Sequence, residues 1–171
     1  MSREIASVYL DSNILSTLHY RGRDAAVLRQ HAATQLWWDT ERRWFRLLAS
    51  RFTEEELAAG NYPGQKHALA EVRRLPYLPF SAAVKTCART YLDEGLVPAS
   101  KPGDAFQLAF ATVYVVDYLL TWNQTHLANG ETQEKLKRIN AEHGWRTPLL
   151  MSPVTISKVA LGQSVRRRHE D

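Results

Sequence analysis

Two carboxylates and an amide follow short apolar runs in this chain, and a third carboxylate follows a Pro/Gly/Ser loop. Asp11 closes Val8-Tyr9-Leu10, Glu56 comes shortly after Phe45-Arg46-Leu47-Leu48-Ala49-Ser50, Asp104 follows Lys101-Pro102-Gly103, and Asn123 follows Tyr118-Leu119-Leu120-Thr121-Trp122. Open parallel α/β sheets bind their ligands outside the carboxyl ends of the strands. Acids delivered there from distant chain positions can therefore meet at one edge. Carboxylate and amide oxygens are hard ligands suited to Mg²⁺ or Mn²⁺, which keep several waters and need few protein donors. Such an ion orients and activates a water and offsets charge on a transferring phosphoryl group. The chemistry indicated is phosphodiester hydrolysis.

Each residue also has a plainer reading. Asp11 could cap the following helix. Glu56 fits a capping-box acid bonding back to Thr53, and Glu54 or Glu55 could serve a metal equally well. Asp104 could simply complement a helix dipole, and Asn123 could be a turn residue. Only their ordered combination raises the metal-site reading above these alternatives. Asn13 and Thr121 stand beside the same strand ends and are candidates to support the acids or to contact phosphate, or merely to cap local backbone. His126 reads as turn surface, and Lys101 as one weak candidate phosphate contact.

The elements that must carry these residues can be read from pattern. A buried strand is expected over 5–10 and a short helix over 13–20, broken by Arg21-Gly22-Arg23. Asp24 caps a long helical stretch in which Val27, His31, Thr34, Trp37, Trp38, Glu41 and Trp44 share a side, so the two adjacent tryptophans should bury against a sheet. A strand is expected over 45–49, and a helix opened by a Thr53–Glu56 capping box. A helix over 65–75, an extended pair at 77–78 between Pro76 and Pro79, and a helix from Ser81 to about 93 follow. Asp104 then opens an apolar helix. Strands are expected over 118–122 and 148–152, with a helix over 131–143 between them closed by Gly144. Alternating strands and helices predict a single α/β domain, with a mostly parallel central sheet of four to five strands flanked by helices on both faces. The expected domain spans 1–156. A basic tail, 157–171, should be a short helix and then a frayed end containing Arg166-Arg167-Arg168.

Composition excludes several classes. The chain has 171 residues, 44% hydrophobic and 23% charged, enough for one ordinary globular core. Its net charge of +4 leans towards polyanionic partners. The single cysteine, Cys87, cannot form an internal disulfide and suits a reducing cytoplasmic setting. No signal peptide or membrane span is expected. A phosphatase of the haloacid-dehalogenase type would need a second Asp at the position of Asn13. A receiver domain would need an early acidic pair. A dinucleotide binder would need a glycine-rich first turn, and Asp11-Ser12-Asn13 has none.

The ordered set Leu10-Asp11-Ser12-Asn13-Ile14-Leu15, Ser50 with Glu56-Leu57-Ala58-Ala59-Gly60, Pro102-Gly103-Asp104-Ala105-Phe106-Gln107-Leu108-Ala109 and the run 117–129 resembles the PIN-domain family. Within that family it is similar to the VapC-like ribonuclease toxins of toxin–antitoxin pairs. Residues 144–148 and Met151-Ser152-Pro153 look like that family's last turn and strand. The resemblance covers nearly the whole chain. It implies an endoribonuclease using Mg²⁺ or Mn²⁺, with Asp11, Glu56 and Asp104 as the metal-binding acids. It also implies a cognate antitoxin covering the acidic cleft, and a homodimer. Many members carry a fourth acid where this chain has Asn123, so a second ion would be held more weakly here. A PIN-like module with a degenerate site, binding RNA or a partner without cutting, is the alternative.

Overall fold

β1 (Ser7–Leu10) is buried along its whole length. Its side chains alternate between two cores, because successive residues of a strand point to opposite faces. Val8 and Leu10 enter one core, where they meet Ile14, Leu15, Trp37, Trp38, Val72 and Ile156. Tyr9 enters the other, with Val84, Tyr91, Leu108, Phe110, Leu136 and Ile139. A strand covered on both faces reads as continuously apolar, and this one does.

The computed structural model describes residues 5–159. After β1 come α1 (Ser12–Leu18) and α2 (Ala25–Thr40), then a 3₁₀ turn (Arg42–Trp44) leading into β2 (Arg46–Ser50). α3 (Arg51–Ala58), α4 (Gln65–Val72), β3 (Tyr77–Leu78), α5 (Ala82–Asp93) and α6 (Pro102–Val113) follow. The chain then adds β4 (Tyr118–Leu120), α7 (Gly130–His143) and β5 (Leu149–Met151). The sheet has five strands in the order β3-β2-β1-β4-β5, and every pair is parallel. Helices cover both faces, as the pattern predicted. Among the described residues, no helix is long and apolar enough to cross a membrane.

Local chemistry explains the boundaries. Asp24 Oδ1 accepts the N–H groups of Ala26 and Val27 at 2.9 and 3.0 Å, which starts α2. Trp37 and Trp38 are 0% and 6% exposed, so they are core residues. The expected Thr53–Glu56 capping box is not formed. Ser50 is the N-cap and Thr53 stands at the third helical position, their hydroxyls and backbone N–H groups bonding reciprocally at 3.2 and 3.3 Å. The helix therefore begins one turn earlier than expected, straight from the strand.

The final helix is also displaced from expectation. It begins at residue 153, where Pro153 needs no N–H partner, while Ser152 and Thr155 close the turn before it. Ile156, at the expected domain limit, is 0% exposed and belongs to the core. The Arg166–Arg168 run lies outside the described residues.

Candidate acidic site at the switch point

β1 pairs with β2 on one side and with β4 on the other. The sheet order therefore reverses direction between β1 and β4, and a crevice opens at such a reversal, outside the strand ends. Asp11 and Thr121 are the first residues beyond these two ends, because Leu10 pairs with Leu120. The Thr121 hydroxyl donates to Asp11 Oδ2 at 2.7 Å. The Asn13 amide donates to the same oxygen and to Thr121 Oγ1, both at 3.1 Å, while its carbonyl accepts the Trp122 N–H at 2.9 Å. Asn13 and Thr121 thus clamp Asp11 in place, and their polar atoms are committed to that task. Asp11 itself is 5% exposed.

Glu56 arrives from β2 by way of α3. The Tyr9 hydroxyl, reaching from the neighbouring strand, lies 2.7 Å from Ser50 Oγ and 3.0 Å from Thr53 Oγ1. This buried triad fixes the first turn of α3, and Glu56 stands one turn on, at the spacing that keeps it on the same helix face. Its oxygen Oε1 accepts from the amide of Gln107 on α6. The neighbouring glutamates are occupied elsewhere. Glu54 accepts from Arg73 at 2.7 Å and from the Tyr77 hydroxyl at 2.9 Å, and exposed Glu55 lies 3.9 Å from Arg51. Of the three glutamates, Glu56 is the one on which the charges of Asp11 and Asp104 act.

Asp104 sits in the first turn of α6, after Pro102 at the helix start. Asn123 holds it: the amide donates to Asp104 Oδ2 at 3.0 Å, while the Asn123 carbonyl accepts the His126 N–H at 3.0 Å. Asn123 is thus both a turn residue and a site residue. Asp117, by contrast, accepts from the Ser7 backbone and hydroxyl at 2.8 and 2.9 Å and pairs with Arg146, at the amino end of β4. It stands away from the acids and is structural.

Electrostatics bind the three acids into one unit. Burial raises the Asp11 pKa, and the Asp104 charge raises it further, against the opposing bond from Thr121. Burial and then the Asp11 charge push Glu56 up to about 7, with Gln107 and Ser12 opposing and Asp104 adding to the rise. Burial also raises Asp104, against Asn123 and the positive charges of His126 and Lys101. Ser12, which donates to Asp11 Oδ1 at 3.3 Å, and Gln107 are site residues that sequence reasoning missed. Pattern carries no signal for their shared action on Glu56, which lies on α3, far from both in the chain.

The donor set fits a hard divalent cation in chemistry. It offers carboxylates and amide oxygens, and a buried Gln107 Oε1 that has no hydrogen-bond partner. A cation would offset the cost of burying these carboxylates, and the repulsion that Asp11 and Glu56 feel in addition. Among the described residues, no group of three or more Asp, Glu, His or Cys side chains is placed to hold a metal ion together. An ion here would be held by one or two carboxylates and completed by waters, the usual manner of Mg²⁺.

Two predictions arise directly. Glu56 has a folded-state pKa of about 7 against an ordinary 4.5, so folding takes up a proton between those pH values. Metal-free wild type should lose stability relative to Glu56→Gln as pH rises from 4.5 to 7, by about 1–2 kcal/mol once solvent screening is allowed for. Denaturant titrations at pH 5 and pH 8 in EDTA measure the difference, and equal gaps at both pH values would refute the shift. Second, a Cβ at Gly103 would lie 3.1 Å from Glu56 Oε2. Gly103→Ala should therefore push Glu56 aside and lower the site's activity about tenfold. Stability should hold or rise by about 0.5 kcal/mol, because alanine is the better helix former.

A scan of protein-family models and a search of curated proteins each give no match to this chain. What the geometry defines is a single-sheet α/β domain with an acidic crevice at its switch point.

Proposed function

We propose that this chain is a PIN-like endoribonuclease dependent on Mg²⁺ or Mn²⁺, acting in the cytoplasm as the toxin of a toxin–antitoxin pair. The observation that carries this reading is the convergence of Asp11, Glu56 and Asp104, three acids from distant chain positions, beside the β1/β4 reversal. The pKa values of all three are raised by burial; the Asp104 charge adds to the rise of Asp11, and the Asp11 and Asp104 charges to that of Glu56. Of Asp11, Glu56 and Asp104, one or two would ligate the ion directly and the remainder would act through its bound waters. When bound, it would supply positive charge against the phosphoryl group and activate the attacking water. The chain's own groups do the positioning. Asn13 and Thr121 keep Asp11 oriented, Asn123 keeps Asp104 oriented, and Gln107 steers Glu56. Lys101 and His126, which act electrostatically on Asp104, would face a phosphate bound beside that acid. An antitoxin covering the acids and a homodimeric state belong to the same proposal.

Asn123 favours the alternative of a non-catalytic RNA-binding module, because its amide adds no charge at the fourth position. Cleavage of total RNA separates the two readings. Purified protein should give discrete fragments with Mn²⁺ and none with EDTA or in Asp104→Asn. Folded protein, free of any bound partner, that leaves RNA intact would establish the binding module instead.

A further inference from the structure

We infer that the cleft adjoining Glu56 is a nucleobase pocket that prefers a base with an exocyclic amino group over uracil. Its place as the subsite next to the scissile phosphate rests on the ribonuclease reading, whereas base binding itself does not. The cleft has a volume of about 360 Å³, within the ~300–1,000 Å³ of small-molecule sites. Tyr20, Tyr62, Val27 and Leu57 supply its apolar and aromatic lining, and Ser12 and Ser16 its polar side. Glu56 lines it too, so the cleft is continuous with the acidic crevice.

Both tyrosines are fixed before any ligand arrives. The Tyr62 hydroxyl donates to the Leu57 carbonyl at 3.0 Å, at the end of α3. The Tyr20 hydroxyl accepts the Asp24 N–H at 3.2 Å, just ahead of α2. Gly22 permits this position, since a Cβ there would lie 2.1 Å from the Tyr20 hydroxyl oxygen. With these hydroxyls engaged, what the tyrosines offer a ligand is ring surface, and sequence-tolerant stacking on aromatic rings is how proteins grip unpaired bases. Little side-chain freedom remains to be lost on binding.

The polar side is rich in acceptors. The Ser12 proton is shared between the Asp11 and Glu56 carboxylates, and Ser16 donates to the Asn13 carbonyl at 3.3 Å. What these hydroxyls present to the cleft is therefore lone pairs, alongside the Glu56 carboxylate. Amino groups on adenine or cytosine satisfy acceptors, and the two carbonyls of uracil do not. A duplex hides these base edges, so the pocket takes an unpaired base.

The test uses uncharged nucleosides in EDTA, which need neither metal nor cleavage. Titration by NMR should show saturable binding of adenosine or cytidine near ~1 mM, with uridine about tenfold weaker. Tyr62→Ala should weaken binding about tenfold. Because that change also removes a bond closing α3, Ser16→Leu is the companion variant. It keeps both tyrosines, fills the cleft and should weaken binding equally. Absence of saturable binding, uridine binding tightest, or full affinity in both variants would overturn the pocket. Nucleoside binding by a protein that cuts no RNA would leave the pocket standing and remove the nuclease. Cleavage without nucleoside binding would do the reverse.

Discussion

Replacing Asp11 with Asn should reduce Mn²⁺-dependent RNA cleavage by about 10²–10³-fold, the loss seen when one preorganised group facing developing charge is removed. The fold should survive the change. An amide oxygen in the place of Oδ2 can still accept from Thr121 and Asn13, and the new amide nitrogen faces the Ser12 hydroxyl, which can turn to accept. The metal-free variant should be no less stable than wild type, because a buried charge whose ionisation is opposed by its surroundings has gone. Mn²⁺ should then distinguish the two proteins. At a hundredfold excess over the dissociation constant it stabilises wild type by about 2.7 kcal/mol. In Asp11→Asn at the same concentration, most of that gain should vanish. Wild-type cleavage rates in the variant would remove Asp11 from the site, and an equal thermal shift in both proteins would remove it from the metal.

Trp37→Ala should have the largest effect on stability, about 3–5 kcal/mol by loss of a fully buried indole and creation of a cavity. Trp37 is 0% exposed, with ring centroids of Trp38 and Phe45 each 6.3 Å away. Its indole N–H is buried without a hydrogen-bond partner. Trp37→Phe should therefore cost much less, since it removes that unsatisfied donor along with part of the ring. Midpoints of guanidinium unfolding for the three proteins test the order wild type, Phe, Ala. Unimpaired stability in Trp37→Ala would show that the tryptophan pair is not core.

Much of this was legible in the chain. Asp11 stood out as a carboxylate closing an apolar run, although its place at the start of α1 gives it a local reason to be there as well. The parallel sheet followed from strands separated by helical stretches too long for hairpins. Boundaries were harder wherever one residue answers to two local rules. Thr53 can start a helix or stand at its third position, and only Ser50, held by the Tyr9 hydroxyl from the next strand, decides between them. Pro153 reads as a strand stop, yet it is equally a helix start, and Ser152 with Thr155 makes it one. Glu54, Glu55 and Glu56 are indistinguishable in sequence because their assignments rest on Arg73, Tyr77 and Gln107, which lie on other elements. Side-chain contacts across such separations leave no periodicity to read.

The placing of β1 between β2 and β4 has a consequence for how the molecule comes into being. Within this sheet the earliest strand in sequence is the central one, and its second neighbour follows more than a hundred residues later, as the separation of 110 between Asp11 and Thr121 records. Contacts of such long range close late, after local helices have formed. A nascent chain that has made only β1, β2 and β3 carries Asp11 and Glu56 but neither Asp104 nor the Thr121 that orients Asp11. The acidic crevice is therefore assembled only when α6 and β4 are in place.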